Sequence, residues 1–191
     1  MILQLYRRIL TYPRLNRFLT NLYPALFFAG IRITEITSDW KTIKVSMGGL
    51  FSMTPMGAQF GGALFTMGDP WFMMILVRHF GKTFKIWDKS ATIHFRRRGR
   101  GTVKASFTIT DQQLAFIREK VMAEGKIHII LKTQIIDNEK EIVADIEKTI
   151  FIGLKSAKQT QTDQTDQPPT IYRLDTASTT QTNESIRNHS I

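Results

Sequence analysis

This sequence has no cysteine, which excludes disulfides and thiolate metal sites and suits a reducing compartment, so a cytoplasmic location is expected. Its four histidines, His79, His94, His128 and His189, are scattered and share no ligand spacing, so no metal is expected. No P-loop or dinucleotide fingerprint follows a strand, and no cofactor is expected. Acid is scarce: 16 Asp and Glu stand against 26 Lys and Arg, for a formal net charge of +10. Long apolar runs are also few. In the opening MILQLYRRILTYPRLNRFLTNLYP, Arg7, Arg8, Arg14 and Arg17 interrupt every one, so it does not read as a signal peptide.

The excess of base lies in residues 1–153. After Gly153 four basic residues (Lys155, Lys158, Arg173, Arg187) balance four acidic ones (Asp163, Asp166, Asp175, Glu184), so that segment is neutral. A basic globular part attracts an anion: nucleic acid, lipid headgroups or a phosphorylated small molecule. From Lys155 onward Thr, Gln, Ser, Asp and Asn dominate. Few apolar residues remain there to offset the entropy of ordering, which predicts a disordered tail over 154–191, with Ile171, Tyr172 and Leu174 as its one apolar spot.

One run stands out, FGGALFTMGDPWFMMILV at Phe60–Val77, in which Asp69 is the sole charge. A helix apolar all round must be buried or cross a membrane. The run reaches the lower length limit of a span, but its glycines, Pro70 and the mid-run Asp argue for burial in protein. An unpaired buried carboxylate is costly, which marks Asp69 as a functional candidate.

Around this predicted central helix, ending at Gly81, the remaining periodicities are short. Residues 2–29 carry apolar side chains at helical spacing, broken by Pro13 and Pro24. They predict a basic amphipathic cover over 1–30, either packed on the domain or in weak contact with a membrane surface. Alternation predicts strands at 31–37, 41–47, 85–96, 102–110, 126–136 and 141–152. In the last, Ile142, Ala144, Ile146, Ile150 and Ile152 form the apolar set. A helix capped by Asp111 and Gly125 separates the fourth and fifth strands. The order leaves little room for parallel crossovers, so an α+β fold is expected: an antiparallel sheet wrapped around one long helix over 31–153.

Two constellations carry chemistry. Gly61-Gly62 opens the central helix, where backbone N–H groups can polarise an oxygen, although glycine also serves close packing. Asp69, eight residues after Gly61, lies about 12 Å along the helix, too far to act on the same atom. Two such helices antiparallel across a two-fold axis bring Asp69 of one chain to Gly61-Gly62 of the other. The alternative is an Asp that caps a Pro-kinked helix. The second constellation, HFRRRGRG, sets Arg96, Arg97, Arg98 and Arg100 at a strand end, suited to phosphate. No aromatic platform interleaves it, so a nucleic-acid partner is not expected.

Four stretches, NLYPALFFAGIRI at 21–33, GAQFGGALFTMGDP at 57–70, KIWDKSATIHFRRRGRG at 85–101 and DQQLAFIREK at 111–120, resemble the hotdog-fold family called domain of unknown function 4442, related to PaaI-type thioesterases. The resemblance spans Leu19 to Ile152. In PaaI-like enzymes a His-Gly-Gly opens the central helix and an Asp eight residues after the first Gly acts on the thioester. Gly61, Gly62 and Asp69 match, whereas Phe60 stands in the place of the His.

The resemblance therefore implies hydrolysis of acyl-CoA or acyl-carrier thioesters at the interface of a homodimer or dimer of dimers. Asp69 would be base or nucleophile and Gly61 and Gly62 would polarise the carbonyl. Phe60, Gly57, Phe72 and Met73 would contact the acyl part, and Arg96, Arg97, Arg98 and Arg100 the CoA phosphates. The alternative, favoured by Phe60, is a hotdog protein that binds acyl-CoA without turnover.

Overall fold

The computed structural model describes residues 12–49, 52–155 and 170–174. In chain order its elements are helices α1 (Pro13–Asn21) and α2 (Pro24–Phe28), strands β1 (Ile31–Ile36) and β2 (Thr42–Met47), helices α3 (Gly61–Gly68) and α4 (Trp71–Phe80), strands β3 (Phe84–Phe95) and β4 (Val103–Thr108), helix α5 (Asp111–Glu124), and strands β5 (Lys126–Ile136), β6 (Ile142–Leu154) and β7 (Ile171–Leu174). The strands form one sheet in the order β1-β2-β4-β5-β6-β3, antiparallel throughout, with β7 added in parallel to β5. The expected α+β arrangement is present.

Both short helices begin with proline at the first turn, where its fixed φ suits the helix and its missing N–H costs nothing. Helix α1 closes one edge of the sheet. The Asn21 amide donates to the Ile33 carbonyl (3.1 Å) and accepts from the Ile33 N–H (2.7 Å), standing in for a neighbouring strand. Arg17 adds a bond to the Thr34 carbonyl at 2.7 Å. The opposite edge strand, β3, is paired only with β6 among the described residues.

The predicted single helix is two helices. Pro70 has no N–H to continue the ladder, and the chain breaks at Asp69-Pro70. The break is bridged by side chains: the buried Trp71 Nε1 donates to the Met67 carbonyl at 2.6 Å. Helix α4 buries Trp71, Phe72, Ile75 and Leu76 against the sheet, with Phe72 edge-on to Phe107 at 5.1 Å. Neither helix is long enough to cross a membrane, nor is any other helix among the described residues. The cap of α5 is Thr110 rather than Asp111. Its hydroxyl accepts from the Gln113 N–H while the Gln113 side chain accepts from the Thr110 N–H, a reciprocal capping box.

The predicted disordered tail is corrected at one place. Strand β4 pairs with β5 only through Lys104–Ile136 and Ala105–Ile135, which leaves a wedge beside the start of β5. Ile171–Leu174 fills it, opposite His128 to Leu131. Tyr172 packs edge-on against Phe116 of α5 (5.1 Å), and its hydroxyl bonds to Glu124. Burial, reinforced by that carboxylate, pushes the phenol up to about 12. The remaining tail residues, and residues 1–11 of the predicted helical segment, lie outside the described residues.

Helix α3 runs close over β6. A Cβ added at Gly68 would sit 2.2 Å from Ile146 Cδ1, so only glycine fits there without displacement. Gly68→Ala is expected to destabilise the fold by about 1–3 kcal/mol through overpacking. Adding Ile146→Val, which removes that Cδ1, should recover part of the loss. Urea denaturation of both single variants and the double variant checks this, and strictly additive losses would refute the contact.

Candidate active site

Helix α3 is not buried all round, as the sequence had suggested. Ala63, Leu64, Met67 and Gly68 face the core, whereas Gly62, Phe65 and Asp69 are exposed along one stripe. The stripe begins where the loop from β2 turns into the helix. Residues Met53 and Gln59 form a β-bridge, and Gly57 at φ +72° makes the turn between them. The side chain of Phe60 provides no cap for the helix start. Phe60, Phe65 and Phe95 are exposed around it, with Phe95 lying over Gly61 and the Phe60 ring over Gly62.

Gln59 ties this start to the arginine turn. Its backbone N–H donates to the Gly99 carbonyl (2.8 Å) and its buried side-chain amide donates to the Gly101 carbonyl (2.5 Å). Gly61, Gly62, Phe60 and residues 96–101 are thus neighbours, as a site built from both would need. The arginines differ in availability, however. Arg96 is bonded to Asp145 at 2.5 Å and Arg97 to Asp137, so two of the four predicted phosphate contacts are engaged within the chain. The Arg96 guanidinium, helped by Gln134, holds the Asp145 carboxyl below the usual carboxylate range. Arg98 and Arg100 are exposed and have no ion pair among the described residues. Of the predicted acyl contacts, Phe72 is a core residue packed on Phe107, and Met73 is half-buried on α4.

The charge buried at the helix break is not Asp69. Its side chain is 52% exposed, whereas Lys148 of β6 is wholly buried beside it. The Lys148 ammonium donates to Asp69 Oδ1 (2.8 Å) and to the Asp69 carbonyl (2.7 Å), and pairs with Asp88 Oδ2 at 3.0 Å. Lys148 takes the inward place between Ile146 and Ile150 in the strand alternation. Asp88 reaches it from β3, just before a bulge that shifts the register between Asp88 and Ser90. Sequence reading missed both residues. The available signal was the gap at 148 in an otherwise apolar face.

Taken together, one chain carries a carboxylate oriented by a buried cation and, at the other end of α3, a helix start ringed by phenylalanines. Removing the ammonium would leave two carboxylates that bind the same nitrogen without a counter-charge. No group of His, Asp and Glu among the described residues could hold a metal ion.

The family model of the Domain of unknown function (DUF4442) matches residues 13–152. Among solved structures, a protein of unknown function from Pseudomonas aeruginosa, described as a probable thioesterase, is 21% identical with a TM-score of 0.68, covering 76% of this chain and 99% of its own. A thioesterase from Haemophilus influenzae is 14% identical with a TM-score of 0.54, covering 74% and 91%. The PaaI protein of E. coli, from the phenylacetic acid degradation operon, is 16% identical with a TM-score of 0.50, covering 72% and 88%. No curated protein matches the sequence. At these identities the likeness shows the fold, which is the hotdog arrangement of a sheet around a central helix.

Proposed function

Because this chain belongs to the domain of unknown function 4442 family, in a fold shared with thioesterases, we propose that it hydrolyses acyl-CoA or acyl-carrier thioesters at a homodimer interface. The observation that carries this reading is the exposed stripe of α3, with Gly62 at one end and the Lys148-held Asp69 at the other. In hydrolysis Asp69 takes a proton from water as the oxygen bonds to the carbonyl carbon. The N–H groups at Gly61 and Gly62 stabilise the resulting oxyanion, and the C–S bond breaks as Asp69 returns its proton to the departing sulfur, giving a carboxylic acid and a thiol.

Gly62 and Asp69 are about 10 Å apart along the helix, so each site draws one of them from each subunit. An open β3 edge and a stripe bearing Phe65 are surfaces that a second copy can cover. Arg98 and Arg100, the free members of the arginine turn, take the CoA phosphates. Phe60 and Phe95 offer apolar contact to the acyl chain in place of a polar group at the carbonyl.

A second surface favours weak attachment to anionic lipid. Across α1, α2 and the turn between them, Phe18, Leu22, Tyr23, Phe27 and Phe28 are exposed, as are Arg14 of α1 and Arg32 of β1, which lies over the Phe27 ring. Aromatic and basic side chains on one face are suited to the boundary of an anionic bilayer.

Thiol release from a panel of acyl-CoAs is expected for the wild type, and Asp69→Asn should lower kcat by about 10²- to 10⁴-fold. An Asp69→Asn protein with undiminished turnover would sink the mechanism. Ligand-induced thermal stabilisation without release would favour the non-catalytic reading. For the lipid surface, co-sedimentation with phosphatidylserine-containing vesicles should exceed that with pure phosphatidylcholine and fall in Phe18→Asp and at high salt. Equal partition onto both vesicle types would rule it out.

A further inference from the structure

We infer that Lys148 is a positioning residue for the reacting carboxylate, a role that rests on the reading of Asp69 as base or nucleophile. The Lys148 ammonium donates two hydrogen bonds, to the Asp69 carbonyl at 2.7 Å and to Asp69 Oδ1 at 2.8 Å, and is ion-paired with Asp88 Oδ2 at 3.0 Å. The ammonium is wholly buried and held among these oxygens, so Lys148 is not itself the base or the nucleophile.

What it does is close a ring. One nitrogen binds both the main-chain and the side-chain oxygen of Asp69, which restricts rotation about the Asp69 side-chain bonds. The remaining oxygen, Oδ2, has no partner among the described residues, and the side chain is 52% exposed. With Oδ1 held by the ammonium, the position of the free oxygen is set by the one that is bound.

Three features make this clamp rigid. Strand β6 is paired on both sides, with β3 and with β5, so Lys148 stands on an interior strand of the sheet. Asp88, next to the β3 bulge, anchors the ammonium from the second side. The break at Pro70 leaves the Asp69 carbonyl available for the ammonium, and a positive charge at the end of α3 also complements its dipole.

A merely structural ion pair and a positioning residue predict different kinetics. Hydrolysis of the acyl-CoA best turned over by the wild type is measured for Lys148→Met, Asp88→Asn and Asp69→Asn, with folding followed by circular dichroism and urea midpoints. Lys148→Met is expected to lower kcat about 100-fold with KM nearly unchanged, the scale of loss when a reacting group is misplaced by an ångström. Asp88→Asn, which keeps the ammonium and the side-chain volume, should show a smaller loss, also in kcat. If Lys148→Met does not fold, Asp88→Asn decides.

A folded Lys148→Met or, failing that, Asp88→Asn with wild-type kcat beside an inactive Asp69→Asn would overturn the positioning role and leave the thioesterase reading intact. A loss confined to KM would overturn it equally. A wild type that releases no thiol, or an Asp69→Asn that loses nothing, removes the proposed reaction and this inference with it.

Discussion

The buried ammonium of Lys148 is the constraint around which the centre of this molecule is arranged. A wholly buried cation is tolerable only when its hydrogen bonds are filled, and breaking such a pair by removing one partner typically costs about 3–5 kcal/mol. Four local oddities serve that requirement. Gly68 lets α3 pass within contact of β6 beside Lys148. The break at Pro70 yields a carbonyl acceptor, and Asp69 supplies a carboxylate. The bulge after Asp88 accompanies a second carboxylate turned toward the same nitrogen. A methionine at 148 would fill the volume at lower electrostatic cost, so packing alone does not account for the cation.

The sheet was legible in the sequence because its strands alternate cleanly and buried faces cannot slip register without exposing their apolar side chains. Asp69 was legible as the odd residue, but for the wrong reason. It looked buried because its neighbours are apolar, whereas the structure buries its partner and leaves half of its own side chain open. Lys148 was hidden by the habit of reading a charged residue in a strand as outward-facing. Its place between Ile146 and Ile150, on the inward face, was the contrary sign.

The two-helix break was also written in the sequence, since Pro70 lacks the N–H that a continuous helix needs. Hydrophobic content alone could not reveal it. Strand β7 was beyond local reading. Four residues docked into a wedge between β4 and β5 depend on how α5 parts those strands, and no periodicity within 171–174 encodes that. The arginine turn was legible as a strand end, but pairing to Asp137 and Asp145 depends on long-range approach of β3 to the β5–β6 hairpin.

The geometry also bears on how two copies would meet. The sheet has two edges of opposite character: β1 is sealed by Asn21 and Arg17 of the preceding helix, whereas β3 keeps an open row of backbone groups. An open edge of this length invites pairing. The exposed stripe of α3 begins at Gly62, and the Phe95 ring at the end of β3 lies over Gly61. On the proposed reading, a two-fold axis beside β3 that runs the α3 helices antiparallel sets each helix start near the partner's Asp69. On that reading, the distance that separates carboxylate and helix start within one chain is what a second copy would have to bridge, since one chain cannot bring both to one carbonyl.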